Sequence, residues 1–407
     1  MKILMLCDVL FPDTTGGAGR VTFNLSKELI KKGNVVYILT RNPENRFDIY
    51  QRLDDSLFVY RFSAAATGSF NLIYSEIRNS YSAAKKISGK SSFDIICIHQ
   101  CLPAIGPSYT SLFNGCPILY LYHSPWHKEY LIKQQNNNGE NSGSQKAIAF
   151  IMRSIERRFL NKSSKAIVLS KYMREKISKI HRYPENRISI IPAGVDLEHF
   201  HLTNASKESI KKKLGISKQK TLFLTVRNLV PRMGLENLIK AFSASRILKE
   251  SCVLWIGGDG PLRHYLMDMV RSNDLQDNIK FLGFIPDEML PEIYQAADFF
   301  ILPTVELEGF GLVILEAMAC GTPVIGTPVG AIPEILNRFD RRLIFKGTGF
   351  KEIKEELEQV VKMPDQFSFD PKRCRRFVED NYSWEKMAQG FEYEAKKVCK
   401  NIAGRQG

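Results

Sequence analysis

Along the chain, short runs of β-branched and aliphatic residues alternate with longer stretches in which apolar positions recur every three or four residues. The first pattern predicts strands buried on both faces, and the second predicts amphipathic helices. Their alternation predicts βαβ units and a parallel sheet. In the first half, strands are expected near 2–8, 34–40, 57–62, 93–99, 117–123, 165–170 and 187–193, with helices near 18–32, 72–88, 146–160 and 171–179. The pattern then restarts. Strands are expected near 221–227, 252–257, 279–284, 298–303, 323–326 and 342–345, with helices near 234–249, 261–272, 287–296, 312–320 and 350–362. Each half reads as one doubly wound, Rossmann-like α/β domain. The break falls around 194–206, where IPAGVDLEHFHLTN carries Pro, Gly and Asn between periodic segments. The polar run QQNNNGENSGS, residues 134–144, has nothing to bury and is expected to be a mobile loop.

Length supports two domains, since 407 residues exceed what one core usually holds. A hydrophobic content of 44% with 25% charged residues excludes wholesale disorder. No apolar run reaches the roughly 18 residues needed to span a bilayer. The opening MKILMLCDVLF reads as a buried strand rather than a leader, because Cys7 and Asp8 interrupt it and no small-residue cleavage site follows. Eight scattered cysteines lack a disulfide framework, which favours a reducing cytoplasm. Cys97, His99 and Cys101 share one face of an extended strand, yet no second cluster completes a metal site; buried thiols beside a strand-end histidine explain them.

The net charge of +14 is uneven. Between Lys146 and Arg187 stand twelve basic and three acidic residues, and Ile148, Ile151, Met152, Ile155, Phe159 and Leu160 recur among them at helical spacing. Two readings stay open: a core-facing helix with a solvated basic face, or a surface resting on anionic lipid head groups at the inner face of a membrane. No DNA- or RNA-binding motif accompanies the charge, so nucleic acid is not an expected partner.

Four segments carry candidate chemistry. In TTGGAGRVTFNLSKEL, residues 14–29, Gly16, Gly17 and Gly19 allow a tight turn before a helix whose amino end attracts anions, although a purely structural turn has the same signature. His123 ends a very apolar strand, where α/β folds gather their site residues; it would either meet a substrate hydroxyl or satisfy a loop carbonyl. Arg227 and Arg232 flank a strand-to-helix turn and could clamp a diphosphate through charge-assisted hydrogen bonds. In ILPTVELEGFGLVILEAMACGTPVIGTPVGAIPEIL, residues 301–336, Glu308 and Glu316 bracket Gly309, Phe310, Gly311 and Leu312 at an expected helix start. Two carboxylates beside a phosphate-attracting helix end make sense as acceptors of hydroxyl hydrogen bonds from a sugar and a ribose.

With these residues in place, the chain resembles glycosyltransferase family 4, which has the GT-B fold of two facing Rossmann-like domains. EGFGLVILEAMACGTPVIGTPVGAIPEI looks like that family's E-x7-E donor motif, and GGAGRVTFNLSKEL, VLSKYMREKI, IPAGVDLEHF, WIGGDGPLR and YSWEKMA match further landmarks over nearly the whole length. The resemblance implies an acceptor-binding domain over 1–197, a donor-binding domain over 198–383, and a final helix over 384–407 returning to the first domain. It implies that Glu308 contacts the transferred sugar, Glu316 the ribose, and the amides around Gly309–Gly311 the sugar and diphosphate. His123 is implied near the reacting centre, and Gly17 in the loop facing the donor phosphates and acceptor. Transfer with retention from a nucleotide-diphosphate sugar to a glycan or lipid-linked acceptor is implied, with no cofactor and no metal; no paired Asp ligands of the D-x-D kind appear.

One departure stands out. Family members commonly show an Arg and a Lys five apart in the strand-to-helix turn, the Lys directly before the Gly, where this chain has Asn228 and Met233. The charges stand one residue earlier, at Arg227 and Arg232. The same fold also serves nucleotide-sugar epimerases and could serve a sugar-nucleotide sensor without turnover; both remain alternatives to transfer.

Overall fold

The structure, a computed structural model, describes residues 1–14, 16–64, 69–89, 91–138 and 141–406, with the side chains of 69–72, 135–138 and 401–406 left out of the description. It divides into two compact units, Met1–Ala193 with Trp384–Gly407, and Gly194–Ser383.

The strands of the first unit are β1 (Lys2–Leu6), β2 (Val35–Asn42), β3 (Tyr50–Asp54), β4 (Leu57–Ser63), β5 (Ile95–Ile98), β6 (Ile118–Tyr122), β7 (Lys165–Val168) and β8 (Ile188–Ile190). They form one sheet in the order β3-β4-β2-β1-β5-β6-β7-β8. All pairs are parallel except β3–β4. Its helices are α1 (Gly17–Lys31), α2 (Ser69–Ser88), α3 (Leu102–Ile105), α4 (Trp126–Asn138), α5 (Gly143–Lys162) and α6 (Lys171–His181). The apolar runs behave as their composition demands. Ile3, Leu4, Met5 and Leu6 of β1 have no solvent-accessible surface, because β1 is central and covered on both faces.

The second unit carries α7 (Lys207–Lys213), β9 (Thr221–Val226), α8 (Leu235–Ser243), α9 (Arg246–Ser251), β10 (Cys252–Gly257), α10 (Arg263–Ser272), β11 (Ile279–Gly283), α11 (Leu290–Ala296), β12 (Phe299–Leu302), α12 (Leu312–Ala319), β13 (Val324–Gly326), α13 (Ile332–Phe339), α14 (Phe350–Lys362) and α15 (Pro371–Asn381). Its parallel sheet runs β11-β10-β9-β12-β13. The chain then re-enters the first unit as α16 (Trp384–Gln406). There Asn34 Nδ2 donates to Glu392 at 3.0 Å, Ser189 Oγ donates to Glu394 at 2.7 Å, and Lys165 pairs with Glu394 at 2.9 Å. Gly390 lets α16 lie close on Ile191, where an added Cβ would approach to 3.0 Å.

Several expectations are corrected. The run 134–144 is not simply a loop: α4 continues to Asn138, and α5 begins at Gly143. Ser142 and Gln145 form a reciprocal capping box that starts α5, a local signal within the polar run that favours helix. Gly139 and Glu140 of that run lie outside the described residues, as does Thr15 in the glycine-rich segment. The helix expected over 234–249 is broken, because the Ser245 side chain accepts from the Leu248 amide and caps a new helix. The strand expected over 342–345 reduces to one bridge between Gly326 and Ile344, since Asp340 accepts from the Arg342 amide and draws Arg341–Leu343 into a 3-10 turn. Strand β3, absent from the sequence reading, is a wholly exposed edge hairpin without an apolar face to betray it. Helix α13 hid behind Pro333, which stands in its first turn, where a missing N–H costs nothing.

Candidate functional site

In an open doubly wound sheet, ligands bind outside the carboxyl ends of the strands at the point where strand order reverses. In the second unit that point lies between β9 and β12. Arg227 leaves the end of β9, and Thr304 and Glu308 follow β12. The reversal brings them together. Arg227 donates through Nη2 to Glu308 Oε2 at 2.6 Å and through Nη1 to Thr304 Oγ1 at 2.6 Å. Both side chains of the ion pair are largely buried, at 5% and 13% exposure, so the contact is far less screened than a surface pair. Burial lowers the Arg227 pKa, and the Glu308 carboxylate partly restores it; the guanidinium keeps its charge at any relevant pH.

Glu308 is held by its backbone as well. Its carbonyl accepts from the Ala331 amide at 3.0 Å, and a Cβ on Gly330 would fall 2.1 Å from that same carbonyl oxygen. Gly330 also has φ of +63°, so glycine is required there twice over. Arg232 braces the other side. Its Nη1 donates to the Leu307 carbonyl at 3.0 Å, and its own carbonyl accepts from the Val305 amide at 2.9 Å. Leu307 has φ of +58°, a conformation that costs a non-glycine residue about 1–2 kcal/mol. The turn after β9 and the loop after β12 are therefore one interlocked structure, with Glu308 at its centre.

Gly309, Phe310 and Gly311 lead from Glu308 into α12. Gly311, at φ of +89°, precedes the helix, and no side chain caps that end. Leu312 is the first helical residue. An uncapped helix start beside Glu308 presents amide dipoles to an anion or a hydroxyl. Phe310 turns its ring away into the core, edge-on to Tyr382 with centroids 6.1 Å apart, so it offers the site its backbone. Glu316, inside α12, is buried and accepts from the Tyr294 hydroxyl at 3.0 Å.

The first unit holds the remaining candidates. Its strand order reverses between β1 and β5. Gly17 opens α1, whose N-cap is Gly16 with no side-chain cap. His123 follows β6, and its Nε2 lies 3.2 Å from Nδ1 of His99, which follows β5. His99 Nδ1 also lies 2.9 Å from Thr22 Oγ1 on α1. Burial pushes the His123 pKa down to about 4 and that of His99 well below its usual value, so both rings are neutral near pH 7. Cys97 is buried, and Cys101 Sγ contacts the Tyr120 hydroxyl at 2.8 Å. No cluster able to hold a metal occurs among the described residues.

Thr304, Tyr294, Thr22 and the Gly330–Ala331 clasp escaped the sequence reading. Their partners lie far away in the chain, and small hydroxyl residues at strand ends carry no periodic signal. His99 was visible only as a strand-end histidine.

Over 412 aligned residues, the chain is 25% identical to an uncharacterized glycosyltransferase of Methanocaldococcus jannaschii, spanning all of both chains. It is 26% identical to the alpha-monoglucosyldiacylglycerol synthase of Streptococcus pneumoniae, over 80% of this chain and 70% of that one. A sucrose-phosphate synthase from Thermosynechococcus elongatus superposes with a TM-score of 0.82 at 21% identity, covering 98% of each chain, and shows that the fold is GT-B. The model of glycosyltransferase family 4 matches residues 15–199 and that of glycosyl transferases group 1 matches residues 206–384, so the chain belongs to the glycosyltransferases of the family 4 type.

Proposed function

We propose that this glycosyltransferase moves a hexosyl group from a UDP- or GDP-sugar to a glycan or lipid-linked acceptor, with retention of anomeric configuration and without a divalent metal. The Arg227–Glu308 pair at the strand-order reversal of the second unit carries this reading. Glu308 accepts hydrogen bonds from the sugar, and Glu316 accepts from the ribose. The amides at Gly309, Phe310, Gly311 and Leu312, together with Arg227 and Arg232, stabilise the charge that develops on the leaving diphosphate. Preoriented donors of this kind supply the electrostatic stabilisation that a metal would otherwise give. His123 meets the sugar, and the leaving phosphate assists deprotonation of the acceptor.

The acceptor reading draws on a relative whose name is that of a glucosyldiacylglycerol synthase, and on α5. That helix buries Ala149, Met152, Phe159 and Leu160, but Ile151, which periodicity places in the core, is 56% exposed beside Phe150 at 70%. Arg153, Arg157 and Arg158 are exposed on the same helix. Apolar tips among cations suit a surface of anionic lipid head groups, and the enzyme would work there as a peripheral protein on the cytoplasmic side. No helix of the described residues is long and apolar enough to cross a membrane.

The test is a thermal-shift screen against UDP-, GDP- and ADP-sugars in the presence of a chelator, followed by anomeric NMR of the product made with the stabilising donor. One clear stabiliser and a retained anomer support the proposal. Stabilisation that requires a divalent metal, or an inverted product, overturns it. Conversion of the donor to an epimer without acceptor establishes the competing epimerase reading.

A further inference from the structure

His123 is backed by a second, deeper histidine, and the hydrogen bonds around the pair fix where their protons sit. The Thr22 hydroxyl has one proton and two oxygen or nitrogen neighbours within reach. Its Oγ1 lies 3.0 Å from the Ala18 carbonyl, which only accepts, so the hydroxyl donates there. Toward His99 Nδ1, at 2.9 Å, the hydroxyl oxygen is then an acceptor, and the proton of that contact belongs to His99. The other nitrogen of His99 gives the same answer. His99 Nε2 is buried without a hydrogen-bond partner. A buried lone pair without a partner costs less than a buried orphan N–H, so Nε2 is the unprotonated nitrogen.

His99 Nδ1–H also faces His123 Nε2 at 3.2 Å, with the two rings meeting edge to edge, 5.4 Å between centroids and 27° between planes. A proton on His123 Nε2 would set N–H against N–H. The shared contact is favourable only if His123 Nε2 accepts, and a neutral imidazole then carries its proton on Nδ1. We infer that His99 is a positioning residue that locks His123 in the Nδ1–H tautomer, so that His123 offers its substrate a hydrogen-bond donor rather than a lone pair. The bonded chain is Ala18 carbonyl, Thr22 hydroxyl, His99 and His123, and it ties the orientation of the ring to the first turns of α1. A donor there suits a sugar hydroxyl or ring oxygen acting as acceptor. That last step rests on the proposed contact of His123 with the sugar; the tautomer itself does not.

The experiment is nitrogen-15 NMR on histidine-labelled protein without donor near pH 7, with the His123 signals assigned by their loss in His123→Gln. The expected spectrum shows His123 protonated on Nδ1. An Nε2–H form in the wild type overturns the inference whatever the activity. A wild type in the Nδ1–H form that transfers no sugar from any donor defeats the functional reading alone. In His99→Phe the lock is gone, and His123 should shift toward the Nε2–H form while kcat falls roughly tenfold or more at little change in the KM for donor. His99→Gln, whose amide can still donate to His123, should restore both the tautomer and most of kcat. An unchanged tautomer in folded His99→Phe would also overturn the proposal. Thr22→Val, a milder change, should loosen the same equilibrium if the phenylalanine variant does not fold.

Discussion

Arg227 and Glu308 stand 2.6 Å apart across the strand-order reversal of the second unit, and Thr304 completes the grip on the guanidinium. The pair orders Glu308 before any ligand arrives. Removing one partner leaves a largely buried charge unpaired, whereas removing both does not. Arg227→Met should therefore destabilise the protein by about 3–5 kcal/mol, and Arg227→Met with Glu308→Gln by distinctly less. Urea unfolding of the two single variants and the double variant measures the coupling. Equal and additive losses would show that the pair does not couple.

Arg232 has a different task in the same loop. Its bond to the Leu307 carbonyl holds a non-glycine residue in the left-handed region. Arg232→Ala should release that restraint at a stability cost of about 1.5–3 kcal/mol, the range for a hydrogen bond to a charged group, and weaken donor binding by a similar amount. Calorimetric titration with the stabilising nucleotide sugar reads the second effect. Arg232→Lys should recover only part, because one ammonium cannot reproduce the planar fork. Undiminished affinity in Arg232→Ala would limit this side chain to loop architecture.

Gly330 gives a sharper geometric test. Alanine there needs φ near +63° and puts a methyl group within 2.1 Å of the Glu308 carbonyl oxygen. Backbone at both ends resists, so Glu308 must move. Gly330→Ala should cost about 2 kcal/mol or more in stability and lower kcat by roughly a hundredfold, in line with the penalty for displacing a reacting geometry by an ångström. Gly115→Ala is the control for a strained glycine with open space around it, at φ of +69° and just before β6. It should lose stability without losing kcat.

Much of this arrangement was legible in the sequence, for identifiable reasons. Strands such as Ile95–Ile98 and Phe299–Leu302 are buried on both faces, and that alone produces uninterrupted apolar runs. The Glu308 and Glu316 spacing, with glycines between, pointed to an uncapped helix start because the residue types have few other uses together. What stayed hidden was pairing across distance. Nothing local to Arg227 announces Glu308, eighty-one positions later. Nothing local to His123 announces His99 or Thr22. Exposed elements were equally silent: β3 shows solvent every residue, and Ile151 matches helical periodicity while facing outward.

Acid stability should report the imidazoles of His123 and His99. In the unfolded chain His123 titrates near 6.5, whereas burial holds it to about 4 in the fold. Between those values the unfolded state binds the extra proton, so the fold loses stability as pH falls. The contribution of His123 is complete above about pH 6.5 and declines toward pH 4 by at most about 3 kcal/mol. His99, whose pKa burial also lowers well below its usual value, adds in the same direction. Urea midpoints at pH 7, 5.5 and 4.5 should fall in that order, and the slope should flatten in His123→Gln. An unchanged slope would mean that the ring is solvated in the native state.

Glu76 titrates with the opposite sign. It is buried on α2, its Oε1 has no hydrogen-bond partner, and burial raises its pKa to about 8, with the Asp8 carboxylate pushing the same way. Arg41 opposes the shift but is already engaged, donating to Asp8 through Nε at 2.7 Å. The folded state therefore keeps a proton on Glu76 that the unfolded state releases above about pH 4.5. Stability from this group is lost as pH rises between those two values, because over that window the native state binds more protons. Glu76→Gln, which mimics the neutral acid, should be near-neutral at pH 5 and increasingly stabilising toward pH 8. Melting temperatures of the two proteins across that range decide the matter. A variant that is less stable than wild type at pH 8 would mean that Glu76 is ionised in the fold and that its charge serves the Arg41 and Asp8 pair.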